Sequence, residues 1–263
     1  MSQGVRHLWR YRELARNLVY RDLRLRYGGS RGGTLLGLAL SLIKPLLVVL
    51  VYLFGLRSVL RVQADHYPLF LGVGLLHWQL LSSVLLSSCQ AVVSNGGLVD
   101  RAAFPRMLLP MVAVVQELVT FAFTFGVFLL ALYPWIGGRF WWGLCLYPVG
   151  MALHLLFLSG AALAVSSVQV YWRDLRDLVE FGLRLGFWLS PVLYASTRFP
   201  AKWQQLLFVV NPAVPILELC RDLFCLHKLP APAVWVMLAV WSLMLIPGYL
   251  LFASLQSGFA DEL

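Results

Sequence analysis

The stretch Tyr67–Val93, YPLFLGVGLLHWQLLSSVLLSSCQAVV, passes without a single Lys, Arg, Asp or Glu, and it decides how the rest of the chain is read. As a helix it rises about 1.5 Å per residue and outruns the roughly 30 Å hydrocarbon core of a bilayer. Comparable runs recur, so spans are expected at about Thr34–Leu56, Tyr67–Val93, Met107–Trp135, Trp141–Val170, Leu178–Tyr194 and Ala233–Leu255. The chain has 263 residues, 60% hydrophobic and only 13% charged, and a soluble domain could not bury that much apolar surface. The expected fold class is all-α integral membrane. It comprises six transmembrane helices, an N-terminal amphipathic interfacial helix, and a re-entrant periplasmic or extracellular helical hairpin before the last span.

Working outward, charge sets the orientation. The formal net charge is +9, and eight of the 21 basic residues are arginines between Arg6 and Arg31. Arginines before a first span hold it on the cytoplasmic side and meet anionic headgroups, a reading preferred here to nucleic-acid binding. Residues 5–27 have helical periodicity, with Leu8, Tyr11, Leu14, Leu18 and Leu25 on one face. Arg6, Arg10, Arg16, Arg21 and Arg24 gather mostly on the other, and Asp22 can pair with Arg26. Segments 1–33, 94–106 and 171–184 hold 13 basic residues, whereas 57–66, 136–140 and 196–232 hold seven. Both termini are therefore expected inside. Residues 1–33 form the interface helix and turn, and 34–263 the membrane domain. Within Phe199–Leu229 two apolar segments, each too short to cross, are parted by Asn211-Pro212 and Pro215, which reads as a re-entrant hairpin at about 199–229.

Several chemistries are excluded. Cys89, Cys145, Cys220 and Cys225 are scattered without a CxxC, so packed thiols are the reading, although Cys220 and Cys225 could pair. The N-terminal charged region is too long, and its apolar run too extended, for a cleavable signal. The three lysines, Lys44, Lys202 and Lys228, are followed by Pro45, Trp203 and Leu229, so no GxxxxGK[ST] phosphate cradle exists. Transport driven by ATP would need the ATPase on another polypeptide. The histidines His7, His66, His77, His154 and His227 are too dispersed for an interfacial transferase site.

Short motifs then carry a resemblance. Arg21-Asp22-Leu23-Arg24-Leu25-Arg26-Tyr27, Ser30, Gly37 and Pro45 stand in one half of the chain. Tyr171-Trp172-Arg173-Asp174-Leu175, Ser190-Pro191-Val192-Leu193-Tyr194, Pro200, Trp203 and Asn211-Pro212 stand in the other. In order and spacing they resemble the ABC-2 type permeases that export lipid-linked O-antigen, capsule or teichoic-acid polymers. Lys44 and Gly32-Gly33 depart from that pattern near the pore entrance. The resemblance implies a homodimeric channel in the bacterial cytoplasmic membrane, working with two copies of an ABC ATPase. ATP and Mg would be bound by that partner, with no cofactor on this chain. It implies a coupling helix at about 94–106, where Asn95 can cap a short helix, Pro105 ends it, and Asp100, Arg101 and Arg106 offer charge. It also implies a gate helix at about 171–181.

For that gate, Tyr171, Trp172, Arg173, Arg176 and Arg184 are the candidate residues, because guanidinium groups bind the oxygens of a pyrophosphate headgroup bidentately. The same segment also reads as a solvated, self-paired helix, or as an Asp174-x-x-Asp177 cation site. Tyr52, Phe54, Trp78, Phe187, Trp188 and Tyr194 are candidates to line a glycan channel, where sugar rings stack weakly on aromatic faces. Aromatic belts at the two interfaces account for Tyr133, Trp135, Phe140, Trp141 and Trp142. Glu117 inside a span should be hydrogen-bonded, with Gln116 or His154 as partner. The competing functions are a drug or antibiotic exporter of the same superfamily, and an integral-membrane glycosyl- or acyltransferase.

Overall fold

The computed structural model describes residues 12–27, 43–55, 67–99, 104–136, 140–196 and 199–263. The expectations that fall on the N-terminal residues 1–11, the Gly28–Gly33 turn, the start of the first span, Asp100 and Arg101 lie outside the described residues, as do the side chains of 22–27 and 134–142. The helices are α1 (Arg12–Tyr27), α2 (Ile43–Phe54), α3 (Tyr67–Val93), α4 (Gly96–Val99), α5 (Leu108–Ile136) and α6 (Phe140–Tyr171). They continue as α7 (Leu175–Leu189), α8 (Ala201–Val210), α9 (Ala213–Phe224), α10 (Pro232–Ser242), α11 (Leu245–Leu255) and, after a 3-10 turn at Gln256–Gly258, α12 (Phe259–Glu262).

Among the described residues, four stretches are long and apolar enough to cross a membrane: Tyr67–Val93, Leu108–Tyr133, Gly143–Tyr171 and Pro232–Glu262. The core is built on α3, whose buried residues run from Tyr67 to Val92 and which packs against α5, α6, α7 and α9. The last stretch lies at the periphery, with only 17% of its most apolar window buried, so Val236, Val240, Ile246 and Leu250 face outward to the apolar solvent.

That last stretch is broken rather than continuous. Leu243 and Met244 form a turn between α10 and α11. Pro247 explains it, since proline donates no hydrogen bond and its ring clashes with the carbonyl four residues back, at Leu243. The break lets α11 approach α6 backbone to backbone. A Cβ on Gly248 would lie 2.0 Å from the Gly160 carbonyl oxygen, and one on Gly160 would lie 2.4 Å from Met244 O. Small residues at a crossing substitute close van der Waals contact for the hydrophobic force that lipid does not supply.

A polar knot ties the inner helices. His77 is buried, with Nδ1 2.8 Å from Val73 O, Nε2 3.0 Å from the Tyr147 hydroxyl and 3.4 Å from Cys220 Sγ. A carbonyl can only accept, so Nδ1 carries the proton and Nε2 accepts from Tyr147. Phe121, Phe125 and Tyr147 meet the imidazole edge-on, with centroids 5.0 to 5.8 Å away. One buried side chain thereby joins α3, α5, α6 and α9.

α8 and α9 have 10 and 12 residues, each short of a bilayer, and meet at Asn211-Pro212. No residue of α8 is fully buried, although Phe208 packs against the core, whereas α9 is buried along nearly its whole length. The chain leaves α9 through His227, whose φ of 50° is the left-handed conformation that commonly ends a helix.

Replacing Gly248 by Val should force the α6–α11 crossing apart. The expected outcome is a loss of about 3 kcal/mol, read as a lowered unfolding midpoint of the purified chain in detergent. An unchanged midpoint would show that the crossing does not hold the bundle.

Candidate functional site

One end of the bundle gathers α1, α4 with Arg106, the start of α5, the end of α6 and the C-terminal turn. Leu18 of α1 is buried there and lines a polar cleft of about 120 Å³ with Arg21, Ser87, Gln90, Asn95, Leu109 and Gln116. Arg21 Nη2 reaches Asn95 Oδ1 at 3.4 Å. Asn95 stands immediately before α4, and its backbone carbonyl accepts from Leu98 and Val99, but its side-chain amide turns back to donate to Ala91 O at 3.0 Å. The Arg106 guanidinium, expected as surface charge, donates to Val99 O at 3.3 Å and to Gln256 O. Tyr171, itself exposed, donates its hydroxyl to Leu255 O at 2.8 Å.

α7 leaves this end from Trp172–Asp174 as an exposed helix, and its register produces three faces. Arg176, Glu180 and Arg184 share a charged stripe continuing from Arg173, and Glu180 pairs with Arg184. Leu178, Phe181, Leu185 and Trp188 form a second, apolar stripe, each at least half exposed. Leu183, Gly186 and Phe187 make the third side, packed against the core around α3. A helix with one charged and one apolar outward face suits a border between lipid and a wet passage. Among the described residues Arg173 and Arg176 have no carboxylate at ion-pair distance, which leaves their guanidinium groups to solvent or an anion. No group of three or more His, Cys, Asp or Glu that could hold a metal gathers among the described residues.

Of the aromatic candidates, four meet. Phe187 lies 5.8 Å from Tyr52, 5.9 Å from Trp78 and 5.5 Å from Trp188, centroid to centroid. Trp78 is buried beneath Phe187, and Trp188 is exposed at its rim. Phe54 stands apart and 70% exposed, and Tyr194 turns its hydroxyl to Trp188 O at 2.7 Å while packing on Phe199. Glu117 is buried beside a cavity of about 50 Å³ lined also by Pro45, Gln79, Ser83, Thr120 and Thr124. His154 packs on Phe157, and its Nε2 has no hydrogen-bond partner among the described residues, so the bond expected with Glu117 does not form at that nitrogen.

The opposite end holds contacts that sequence reasoning missed. After α7 the chain turns at Ser190-Pro191-Val192, where Val192 N donates to Ser190 O at 2.7 Å, and four polar contacts pin the segment. Asn211 Nδ2 donates to Ser190 Oγ at 2.6 Å, and Arg221 Nη2 to Val192 O at 3.0 Å. Tyr67 Oη donates to Leu193 O at 3.3 Å, and Ser196 Oγ to Glu218 at 2.6 Å. Arg221 is 3% exposed and lies 3.8 Å over the Phe70 ring. Gly74 permits this approach, because a Cβ there would sit 2.7 Å from Val192 O. The signal for Arg221 was a cation among apolar residues, which in a membrane protein has to have a purpose.

This chain is a multi-pass helical membrane protein with an exposed, two-faced helix α7 and a polar cleft where α1 meets α3 and α5. No protein-family profile matches it. Among characterised proteins it is 31% identical over 265 residues to the O-antigen export system permease protein RfbA of Myxococcus xanthus, covering 100% of both chains. It is 30% identical over 249 residues to the RfbA of Klebsiella pneumoniae, covering 94% of this chain and 93% of that one. The polysialic acid transport protein KpsM of Escherichia coli is 24% identical over 212 residues, 78% of each chain. The chain belongs to the polysaccharide-export permease family of the ABC-2 type.

Phe187→Ala removes the ring on which Tyr52, Trp78 and Trp188 converge. The expected cost is about 3 kcal/mol of stability in detergent, together with increased tryptophan quenching by an aqueous quencher. Unchanged quenching would mean the rings do not form a packed group.

Proposed function

We propose that this chain is the channel-forming subunit of an ABC exporter that moves a lipid-linked polysaccharide, of the O-antigen, capsule or teichoic-acid kind, across the bacterial cytoplasmic membrane. Two copies would form the channel and two copies of a separate ATPase would bind ATP and Mg beneath it. Both termini would lie in the cytoplasm. Six spans are part of this reading, with α2 in the first, α7 in the fifth and α8–α9 as the re-entrant hairpin at the outer mouth. Similarity over the full length of an O-antigen permease supports the substrate class. The placement of the basic-rich N-terminal helix and the coupling segment at one end supports the orientation.

The single observation that carries the mechanism is the three-sided α7. Its Arg173 and Arg176 are exposed and would bind a pyrophosphate headgroup, and Phe187 of the same helix reaches into the aromatic group. A headgroup attracted to the guanidinium stripe would draw the glycan behind it toward those rings. Stacking that is weak at many points lets a polymer slide without being trapped. Energy would enter through the coupling segment as the ATPase closes on nucleotide, and α7 would shift to widen the passage.

The test is polymer export in cells lacking the native permease but retaining ATPase and glycan synthesis. The wild-type chain should restore surface polymer only when the ATPase is present. Arg173→Ala with Arg176→Ala should cut surface polymer at least about tenfold while leaving copurification with the ATPase intact. Full export by that double variant would remove the stripe from the mechanism, and export without any ATPase would overturn the whole reading.

A further inference from the structure

The last long helix ends between the coupling segment and the turn that opens α7, and side chains from the coupling segment and from the end of α6 hold its end. α11 stops at Leu255, and the chain tightens through Gln256–Gly258 into α12. A helix C-terminus leaves carbonyl oxygens without intrahelical donors, and these carry partial negative charge. Leu255 O accepts from the Tyr171 hydroxyl at 2.8 Å, and Gln256 O accepts from Arg106 Nη1. Tyr171 is the last residue of α6, just before the turn that opens α7. Arg106 closes the coupling segment and also holds Val99 O of α4 at 3.3 Å.

Packing follows the same path. Gly258 runs so close to Tyr171 that a Cβ there would lie 2.6 Å from the phenol oxygen. Phe259 is fully buried, 6.2 Å from the Tyr171 ring and 5.4 Å from Phe252. It belongs to a second apolar cluster, separate from the one around α3, that also contains Val92 and Val99 from the coupling side and Val170 from the end of α6. A Cβ on Gly96 of α4 would lie 3.8 Å from Leu263 Cβ.

We propose that residues Leu255–Leu263 are a strut that joins the coupling segment to the gate helix, with Tyr171 and Arg106 as positioning residues of the transport cycle. This rests on the export reading above. Close-packed side chains do not compress, so a displacement of α4 reaches Tyr171, and through it α7, by way of the strut. Tyr171 acts from inside the joint and not on the substrate.

The experiment uses the full complex with its ATPase, in cells and in proteoliposomes. Tyr171→Phe removes one oxygen and keeps the ring. It should leave assembly and ATP hydrolysis within about twofold while polymer exported per ATP falls about fivefold, within the range expected for a coupling residue. The second arm is Gly96→Cys with Leu263→Cys in a Cys145→Ser background, since Cys145 is an exposed native thiol. The 3.8 Å spacing is that of a natural disulfide. An oxidised crosslink should form within one chain and leave at least about half of the export intact, because the strut and α4 move as one body. The proposal is overturned if Tyr171→Phe keeps the wild-type yield of polymer per ATP. It is equally overturned if the crosslink does not form in the assembled complex, or if oxidation abolishes export and reductant restores it. Should Tyr171→Phe fail to assemble, the crosslink decides alone. Absence of export by the wild-type chain would instead strike the export reading, and would be seen before either variant is scored.

Discussion

Backbone carbonyls released where helices stop are the groups this structure has to satisfy first. In lipid no water is at hand, and an unpaired carbonyl costs several kcal/mol. Side chains meet these carbonyls at two places, beyond α7 and at the C-terminal turn, while backbone N–H groups close the ends of α8, α9 and α10. The end of α7 is held by the Ser190 hydroxyl on Gly186 O and the Tyr194 hydroxyl on Trp188 O. Beyond it, Val192 O is taken by Arg221 and Leu193 O by Tyr67. At the other end of the molecule, Leu255 O and Gln256 O are taken by Tyr171 and Arg106. Each bond contributes about 1 kcal/mol net; Gly186 O and Gln256 O also accept the backbone N–H of Ser190 and Phe259, so each keeps a donor if the side chain is lost.

The same constraint sorts the molecule into rigid and adjustable parts. α3, α5, α6 and α9 meet through apolar contacts and the buried His77 knot. α7 is different, since none of its residues is fully buried and it touches the core along one side only. Its two ends, by contrast, are tied. Gln169 holds Arg173 O at 2.7 Å just before it begins, and Asn211 and Arg221 hold the chain just after it stops. A rod fixed at its ends and loosely packed between them can roll or tilt without breaking its attachments.

Much of this was legible from residue order. Tyr67–Val93 was readable to the residue, because an uncharged run flanked by turn formers leaves no other place for the helix to end. The fifth apolar segment was expected at Leu178–Tyr194 and forms instead at Leu175–Leu189. Its end is set by Pro191, which pushes Ser190 to an extended ψ of 145°. The last segment, expected unbroken from Ala233 to Leu255, breaks at Leu243–Met244 because Pro247 weighs more than the apolar average around it. Arg106 and Tyr171 stood out in the sequence as candidates, but the direction of their side chains was not legible there. Their acceptors are carbonyls of Leu255 and Gln256, and a carbonyl leaves no mark in a sequence. Phe259 escaped notice for a related reason, since one aromatic in a four-residue helix has no periodicity.

On the export reading, these ties explain how a chain without a nucleotide site could still be driven. The force has to travel from α4, at one end, to Ser190–Ser196, at the other. α4 is joined to Tyr171 through the C-terminal turn, Tyr171 is joined to α7 through three residues, and α7 is joined to α9 through Asn211 and Arg221. No link in that series is a flexible loop, and each is closed by a named side chain. A push on the coupling segment would then be felt at the outer hairpin as tension on Val192 and Ser190. Because Arg221 is buried, with Nε and Nη1 lacking other partners, letting go of Val192 O would leave its charge without a direct acceptor. The outer latch would therefore resist opening by itself and yield mainly to work delivered along α7. That is the property a barrier needs if it is to stay shut until the ATPase acts.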